Sequence, residues 1–372
     1  MDGLLQRLGI DKERLWETVR ADLVEITGGD ADGFKMEALP GGASVRGYAR
    51  LYPRSGDSDS LVLMILCDPD PARGIEEVMA EDSITELPFI NVHRHLSSCG
   101  VNTPRIVHYN RKEGLIYLED LGGEHLRDYV QKRGPDAARH GFEKAIYELT
   151  KIQVDCTRYE AAGFLGFRAC FDFDLLMWEL EHFTEHAVEA RFPGALDETD
   201  RDRTRNHFKS IAGELLEGPY ALQHRDYHMD NLLLCNGAIR VIDFQDALMG
   251  PLAYDLACLL YDRDTSWVLG DELIDHLVTY YCRSYEERSG KALSEGLFRR
   301  NFHLCVIHRL LKVVGRFHYI HQVKRRPEYL DYIPYMLPPL CKYLERDPEH
   351  RALLDVFTKY LPELAETRGT LA

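Results

Sequence analysis

Apolar residues at Leu4, Leu5, Leu8, Leu15, Val19 and Leu23 recur at helical spacing and predict one or two amphipathic helices at the start of the chain. The period then shortens. Ala38 to Tyr52 and Leu61 to Cys67 read as strands separated by the polar turn Pro53 to Ser60, and Arg105 to Tyr109 and Leu115 to Leu118 read as two more. Between these pairs, Pro88 opens a helical stretch that runs through Leu96 and stops at Gly100. Proline suits the first turn of a helix, and glycine suits the residue after the last. From Leu126 onward the helical period dominates, as in Phe142, Ala145, Ile146, Leu149 and Ile152, and again in Phe298, Phe302, Val306, Leu310, Val313 and Phe317. Strand-like text returns only in Asn231 to Cys235 and Arg240 to Phe244. The Asn236-Gly237 pair between them supplies the positive φ angles of a type I′ turn, so the two runs predict a tight hairpin. The predicted architecture is α+β and bilobal. A small mixed β-sheet lobe covers residues 1–118, and a larger, mostly helical lobe covers residues 119–372, beginning with a short connection near Glu119 to Gly123.

Composition narrows the partners. At 372 residues, with 45% hydrophobic and 28% charged residues, the chain can bury two cores, which excludes a disordered or fibrous protein. The longest apolar run, Leu61 to Cys67, is too short to cross a bilayer, and the N-terminus lacks the apolar core of a signal peptide. A cytoplasmic protein with no membrane partner is expected. The 9 cysteines show no C-x-x-C spacing, which argues for reduced thiols over a disulfide framework or a cysteine-type zinc site. A formal charge of -16 repels polyanions, so a small molecule is expected as substrate and nucleic acid is not. Nothing in the sequence fixes an oligomeric state.

The candidate chemistry gathers in one stretch. His224-Arg225-Asp226 is followed five positions after the aspartate by Asn231, and Asp243 comes twelve residues later, between Val241-Ile242 and Phe244. Phosphoryl transfer from ATP needs a carboxylate that orients the attacking hydroxyl and receives its proton, and oxygen ligands for Mg2+ around the phosphates. The H-R-D-x-x-x-x-N spacing with a later strand-end aspartate provides both, with Asp226 as base and Asn231 and Asp243 as metal ligands. Taken singly, His224 is more often a buried, hydrogen-bonded histidine and Asn231 more often a turn or cap residue. A competing metal-hydrolase reading takes His224, Asp226 and His228 as ligands on alternating positions. It leaves the hairpin and Asp243 without a role.

These motifs resemble the aminoglycoside phosphotransferase and choline kinase group, whose loop usually reads His-Gly-Asp-x-x-x-x-Asn followed by Ile-Asp-Phe/Trp. Gly250-Pro251 to Tyr254-Asp255-Leu256-Ala257 is similar to that group's continuation. Ser44 to Arg50, Leu118 to Gly122, Trp178 to Phe183, Asp243 to Ala247 and His308 to Val313 are similar to bacterial kinases that phosphorylate the anomeric hydroxyl of N-acetylmuramate and N-acetylglucosamine. The resemblance implies a protein-kinase-like fold, ATP and Mg2+ as cofactors, and His224 as a brace for the loop beside Asp226, Asn231 and Asp243. It implies that Glu119 to Leu121 offers main-chain groups to adenine, that Glu179 faces the substrate, and that Asp255 steadies the catalytic loop.

The pattern is broken in two places. The phosphate-covering loop reads Pro-Gly-Gly-Ala-Ser-Val-Arg-Gly, so Gly41, Gly42 and Ser44 are the candidates to approach phosphate oxygens, against the plainer reading of a hairpin turn. No lysine occurs between Lys35 and Lys112, where a third-strand lysine would hold the phosphates, and Met64 and Leu66 stand there instead. Arg46 or Arg50 is expected to supply the missing charge, unless both are solvated strand residues. On the substrate side Asp172, Asp174, Glu179 and Glu181 suit sugar hydroxyls or a solvated helix face, and Arg309, Lys312 and Arg316 suit a substrate carboxylate or, more plainly, a surface ridge. Two rivals stay open: a kinase of another small alcohol (aminoglycoside, choline-like amine or amino acid), and a catalytically silent nucleotide-binding module.

Overall fold

Strict alternation along three strands decides how the N-terminal sheet is buried. In the computed structural model, which describes residues 1–29, 31–39, 46–53, 59–66, 86–159, 161–263, 265 and 268–371, strands β1 (Phe34–Ala38), β2 (Gly47–Pro53), β3 (Leu61–Ile65), β4 (Ile106–Asn110) and β5 (Leu115–Glu119) form one antiparallel sheet. Its order is β1-β2-β3-β5-β4. Ala49, Leu51, Leu61, Leu63, Ile65, Leu115 and Tyr117 point to one face and pack with Leu15, Val19 and Leu23 of the helix Lys12–Thr27. Met64, Ile116 and Leu118 point to the other face and join the core of the helical lobe.

The helix Asp2–Leu8 lies against β2 at Gly47, where an added Cβ would stand 2.5 Å from Leu8 Cδ1. A larger residue there would require the Leu8 side chain to shift. Asp22, buried on the outer helix, accepts from Tyr117 Oη at 2.7 Å and from Asn110 Nδ2 at 2.9 Å, which pins the helix to the sheet.

Of the strand expected from Ala38 to Tyr52, residues 47–52 belong to β2, which pairs antiparallel with β1, a strand that begins earlier, at Phe34, and ends at Ala38; residues 40–45 lie outside the described residues. Pro88–Ser98 is helical as expected, and the connection after β5 leads into the helical part. There Leu232–Cys235 and Ala238–Val241 form the expected hairpin, with Asn236 at φ 51° and Gly237 at φ 78°.

Three short strands escape a period-based reading. Glu124–His125 (β6) pairs with Leu232–Cys235 (β8), which in turn pairs with Ala238–Val241 (β9). Tyr220–Gln223 (β7) pairs antiparallel with Leu248–Pro251 (β10) and runs straight into His224. The 30-residue helix Glu295–Lys324 crosses the core and is buried almost all round between Leu304 and Leu311. No helix among the described residues is long and apolar enough to cross a membrane, and the eight described cysteines are unpaired thiols.

Candidate active site

The loop after β7 is shaped by one buried carboxylate. Asp255, fully buried, accepts the main-chain N–H of His224 at 2.5 Å and of Arg225 at 3.0 Å. Arg225 is thereby held at φ 76°, a left-handed conformation that costs a non-glycine residue about 1–3 kcal/mol. His224 Nε2 donates to the Ile242 carbonyl at 2.9 Å, which leaves Nδ1 to accept the Asp226 N–H at 3.3 Å. The loop is thus tied to β9 on one side and to the helix Tyr254–Leu260 on the other. Asp226 projects from it with 53% of its side chain exposed.

The metal-ligand candidates meet the same loop. Asn231 Nδ2 donates to the Asp226 carbonyl at 2.9 Å, and the Ile242 N–H donates to the Asn231 carbonyl at 3.0 Å, so Asn231 sits between Asp226 and the residue preceding Asp243. Asp243 is itself left-handed at φ 61° with 44% of its side chain exposed, and its Oδ1 accepts from Gln245 Nε2 at 3.1 Å. The next residue, Phe244, is fully buried and stacks on Phe89 of the helix Pro88–Ser98 at 4.9 Å between centroids. This stack joins the helix of the N-terminal part to the Asp243 loop. With its Nδ2 engaged, Asn231 keeps an amide oxygen that, with the Asp243 carboxylate, makes a set of oxygen donors suited to a hard divalent cation such as Mg2+. The metal-hydrolase alternative has no such support. Both nitrogens of His224 are engaged, His228 Nδ1 turns to Asp262 at 3.8 Å, and no three-residue metal-ligand group among the described residues contains His224, Asp226 or His228.

Beneath Asp226 lies a layer of buried charge. Arg309, expected as part of a surface ridge, is 3% exposed and reaches Asp226 Oδ1 through Nη1 at 3.1 Å. Its Nη2 lies 3.7 Å from Asp262, which also faces the Arg263 guanidinium at 3.3 Å. Partial loss of water around the half-exposed Asp226 acts to raise its pKa, but Arg309, Lys312, His228 and Arg225 outweigh it and hold the carboxyl well below the usual range. Lys312 is also turned inward, 2.6 Å from Glu179 and 3.0 Å from Tyr254 Oη.

Glu179 is placed deeper than a substrate-facing residue would be. It is 1% exposed, with Lys312, Arg225 at 3.3 Å and His308 at 3.7 Å around its carboxylate. Burial pushes its pKa up, and these neighbours more than offset it. Asp172 caps the helix Phe173–Phe183 by accepting the Leu175 N–H at 2.8 Å. Arg309, Lys312 and Asp262 were the residues that reading the sequence missed or misplaced. For Arg309 and Lys312 the available signal was charge beside the periodic apolar positions Val306, Leu310 and Val313, since a charged residue on a buried face requires a partner.

On the nucleotide side, Arg46, Tyr48 and Arg50 share one face of β2 and its start. Arg46 Nη1 stands 3.6 Å from Asp243 Oδ1 with 12% of its side chain exposed, whereas Arg50 binds Asp120 through Nε at 2.7 Å and Nη2 at 3.1 Å. One arginine thus faces the Asp243 loop and the other braces the connection. Tyr48 is partly buried near Asp243, and its removal from water pushes its hydroxyl up to about 12. Gly41, Gly42 and Ser44 lie outside the described residues. Glu119 donates its N–H to the Arg105 carbonyl at 2.9 Å, and the Leu121 carbonyl accepts the Cys235 thiol at 3.4 Å, so these main-chain groups already have partners within the protein.

The chain matches the family described as "Phosphotransferase enzyme family" over residues 35–293. It is 30% identical over 332 residues, covering 89% of this chain and 90% of the relative, to a protein of Pseudomonas aeruginosa named N-acetylmuramate/N-acetylglucosamine kinase. Among solved structures it resembles choline kinase from Cryptosporidium parvum, with a TM-score of 0.60 at 12% identity over 96% of this chain and 99% of that one. It also resembles amicoumacin kinase hAmiN in complex with AMP-PNP and Ca2+, with a TM-score of 0.56 at 12% identity over 92% of this chain and 96% of that one.

Proposed function

Because the chain belongs to the phosphotransferase enzyme family, whose kinases use ATP with a divalent metal, and is itself a small-molecule kinase of that family, we propose that its acceptor is the anomeric hydroxyl of an amino sugar such as N-acetylmuramate or N-acetylglucosamine. The observation that carries the acceptor is the Asp226–Arg309 ion pair. A carboxylate held well below its usual pKa is a weak base, and it suits an acceptor more acidic than an ordinary alcohol. The anomeric hydroxyl is the most acidic on a simple sugar. The Pseudomonas aeruginosa relative, by its name, acts on such sugars, which supports the same choice.

In this reading Asp226 hydrogen-bonds the sugar hydroxyl and fixes its oxygen in line with the terminal phosphorus of ATP. The O–P bond forms as the bond to the leaving ADP breaks, and the hydroxyl proton passes to Asp226 Oδ. Asn231 and Asp243 are the residues that would hold Mg2+, which when bound neutralises charge on the phosphates. Arg46 takes the place of the absent strand lysine, and His224 and Asp255 keep the loop in register. Glu179 acts from below, by setting Arg225 and Lys312, with no contact to the sugar. The test is an ADP-release assay, with and without Mg2+, across amino sugars, hexoses, aminoglycosides, choline and amino acids. Selective turnover of an N-acetylated amino sugar, with loss when the anomeric oxygen is methylated, is the expected result. Turnover confined to an amine substrate, or none at all, refutes the assignment.

A further inference from the structure

Away from this site, His182, Glu185 and His186 stand where the helix Phe173–Phe183 widens into the π turn Thr184–Glu189. Such turns interrupt the regular ladder and are enriched at functional positions. Each of the three residues offers one ligand atom, and the atoms all lie within 4.8 Å of one another. His186 Nε2 is 3.6 Å from Glu185 Oε2, and His182 Nδ1 is 4.0 Å from the same oxygen.

The chemistry of each atom can be fixed from its neighbours. Gln322 Nε2 donates to the His186 carbonyl at 2.9 Å, which can only accept, so Gln322 Oε1 is the atom that meets His186 Nδ1 at 3.0 Å. Nδ1 therefore carries the proton and Nε2 presents a lone pair toward Glu185. This is the arrangement in which a second-layer amide orients a ligating histidine. The His182 ring is packed against the edge of His186 at 4.3 Å and against Tyr319 at 5.2 Å; it is 9% exposed, and its Nε2 is buried with no hydrogen-bond partner among the described residues. Glu185 is the exposed member, with 67% of its side chain accessible.

We propose that His182, Glu185 and His186 bind a divalent transition metal of the zinc class, separately from the cation held by Asn231 and Asp243. Two imidazole nitrogens and one carboxylate oxygen form a donor set that favours zinc over magnesium, which takes oxygen ligands. Bonds of about 2.0–2.1 Å place tetrahedral ligand atoms about 3.3 Å apart, so the Glu185 oxygen, at 3.6 and 4.0 Å from the two imidazole nitrogens, has to close by about 0.3 and about 0.7 Å while the imidazoles, within 4.8 Å, draw together with it, leaving water as fourth ligand. Arg316, stacked over Tyr319 at 5.1 Å, opposes a second positive charge here, which makes the Glu185 carboxylate indispensable. Through Gln322 the bound metal would clamp this turn to the helix Glu295–Lys324, which also carries Arg309 and Lys312.

The test is titration of the chelator-treated full chain with Co2+, read by visible absorbance and then by displacement with Zn2+. One Co2+ per chain is expected in the native protein and in Asp243→Asn. Binding is expected to vanish in His186→Ala and in Glu185→Ala, whose exposed side chain can be removed without disturbing the fold. Gln322→Ala is expected to weaken binding roughly 10–100-fold. Titrations of Glu185→Ala and His186→Ala that match the native protein, or no Co2+ bound to the native protein, overturn the proposal.

Discussion

The Arg309 guanidinium lies 3.1 Å from Asp226 and 3.7 Å from Asp262, so one buried cation joins the half-exposed carboxylate of the catalytic loop to a fully buried one. The arrangement sets the protonation of Asp226, and protonation is measurable. A carboxyl held below its usual range stays ionised as the pH falls, so the acidic limb of kcat/KM for the native enzyme is expected below the ordinary carboxylate range. Arg309→Met removes the nearest cation and moves that limb to higher pH. Arg309→Lys keeps the charge and loses the fork, so it holds the limb near its native position with lower turnover. A limb that stays put in Arg309→Met shows that Arg309 does not set the protonation of Asp226.

Asp226→Asn keeps the size and loses the base. Turnover is expected to fall about 10²–10⁴-fold, with nucleotide binding measured calorimetrically almost unchanged, because the side chain faces the acceptor. Native turnover in this variant removes Asp226 from the chemistry.

These two residues also mark how far the sequence carries. Asp226, Asn231 and Asp243 were singled out by their residue types and spacing, and the structure brings Asn231 into contact with the Asp226 carbonyl and with Ile242, next to Asp243; the hairpin between Leu232 and Val241 is legible because Asn-Gly dictates its turn. Arg309 was legible only as a charge at helical spacing. Its burial depends on the helix Glu295–Lys324 crossing the middle of the core, a long-range packing fact that no local period reports. Strands β6, β7 and β10 were missed for a related reason. They have two to four residues each, too few for an alternation to show. Glu179 was placed at the substrate on the resemblance alone; it stands between the exposed Trp178 and Glu181, and one helical step turns it fully inward.

Arg46 and Arg50 separate cleanly by partner. Arg46, beside Asp243, is expected to contribute a charge-assisted contact to phosphate, so Arg46→Ala lowers kcat/KM for ATP roughly 10–100-fold. Arg50→Ala breaks the Asp120 pair at the connection and costs about 1 kcal/mol or less of stability, with a smaller kinetic effect. Steady-state kinetics varying ATP decides between them: unchanged ATP affinity and turnover in Arg46→Ala excludes that residue from phosphate binding.

Glu179→Gln tests whether that residue touches substrate or only holds the floor. The change leaves Lys312, Arg225 and His308 gathered around a neutral amide at a site 1% exposed, which is expected to cost about 3–5 kcal/mol of stability. Because the native carboxyl is held below its usual range, that contribution is present above the ordinary Glu pKa and is lost as the pH falls through the depressed folded value. Denaturant unfolding at neutral pH should therefore show the full loss, while the KM for the sugar in the surviving folded protein stays near native. A variant of native stability whose sugar KM alone rises would make Glu179 a substrate contact.

Asp255 behaves in the opposite sense. Burial pushes its carboxyl from 3.8 up to about 6 even though it accepts two main-chain N–H groups. The folded protein therefore binds this proton more tightly than the unfolded chain does. The resulting stabilisation is fully present below the ordinary value, and it is lost as the pH rises through about 6, at up to about 1.4 kcal/mol per pH unit. Asn at this position cannot titrate and offers one acceptor oxygen where two N–H groups converge, so it orphans either His224 or Arg225 at a cost of about 1–3 kcal/mol. Asp255→Asn is thus expected to be less stable than the native protein, by a margin that is widest in acid, narrows between about pH 4 and 6, and is flat above. Turnover should fall as well, since the left-handed Arg225 loses the bond that holds it and Asp226 shifts with it. Denaturant unfolding of both proteins across that pH range gives the margin directly. A margin that widens toward neutral pH would mean that the two N–H bonds favour the anion more than burial penalises it.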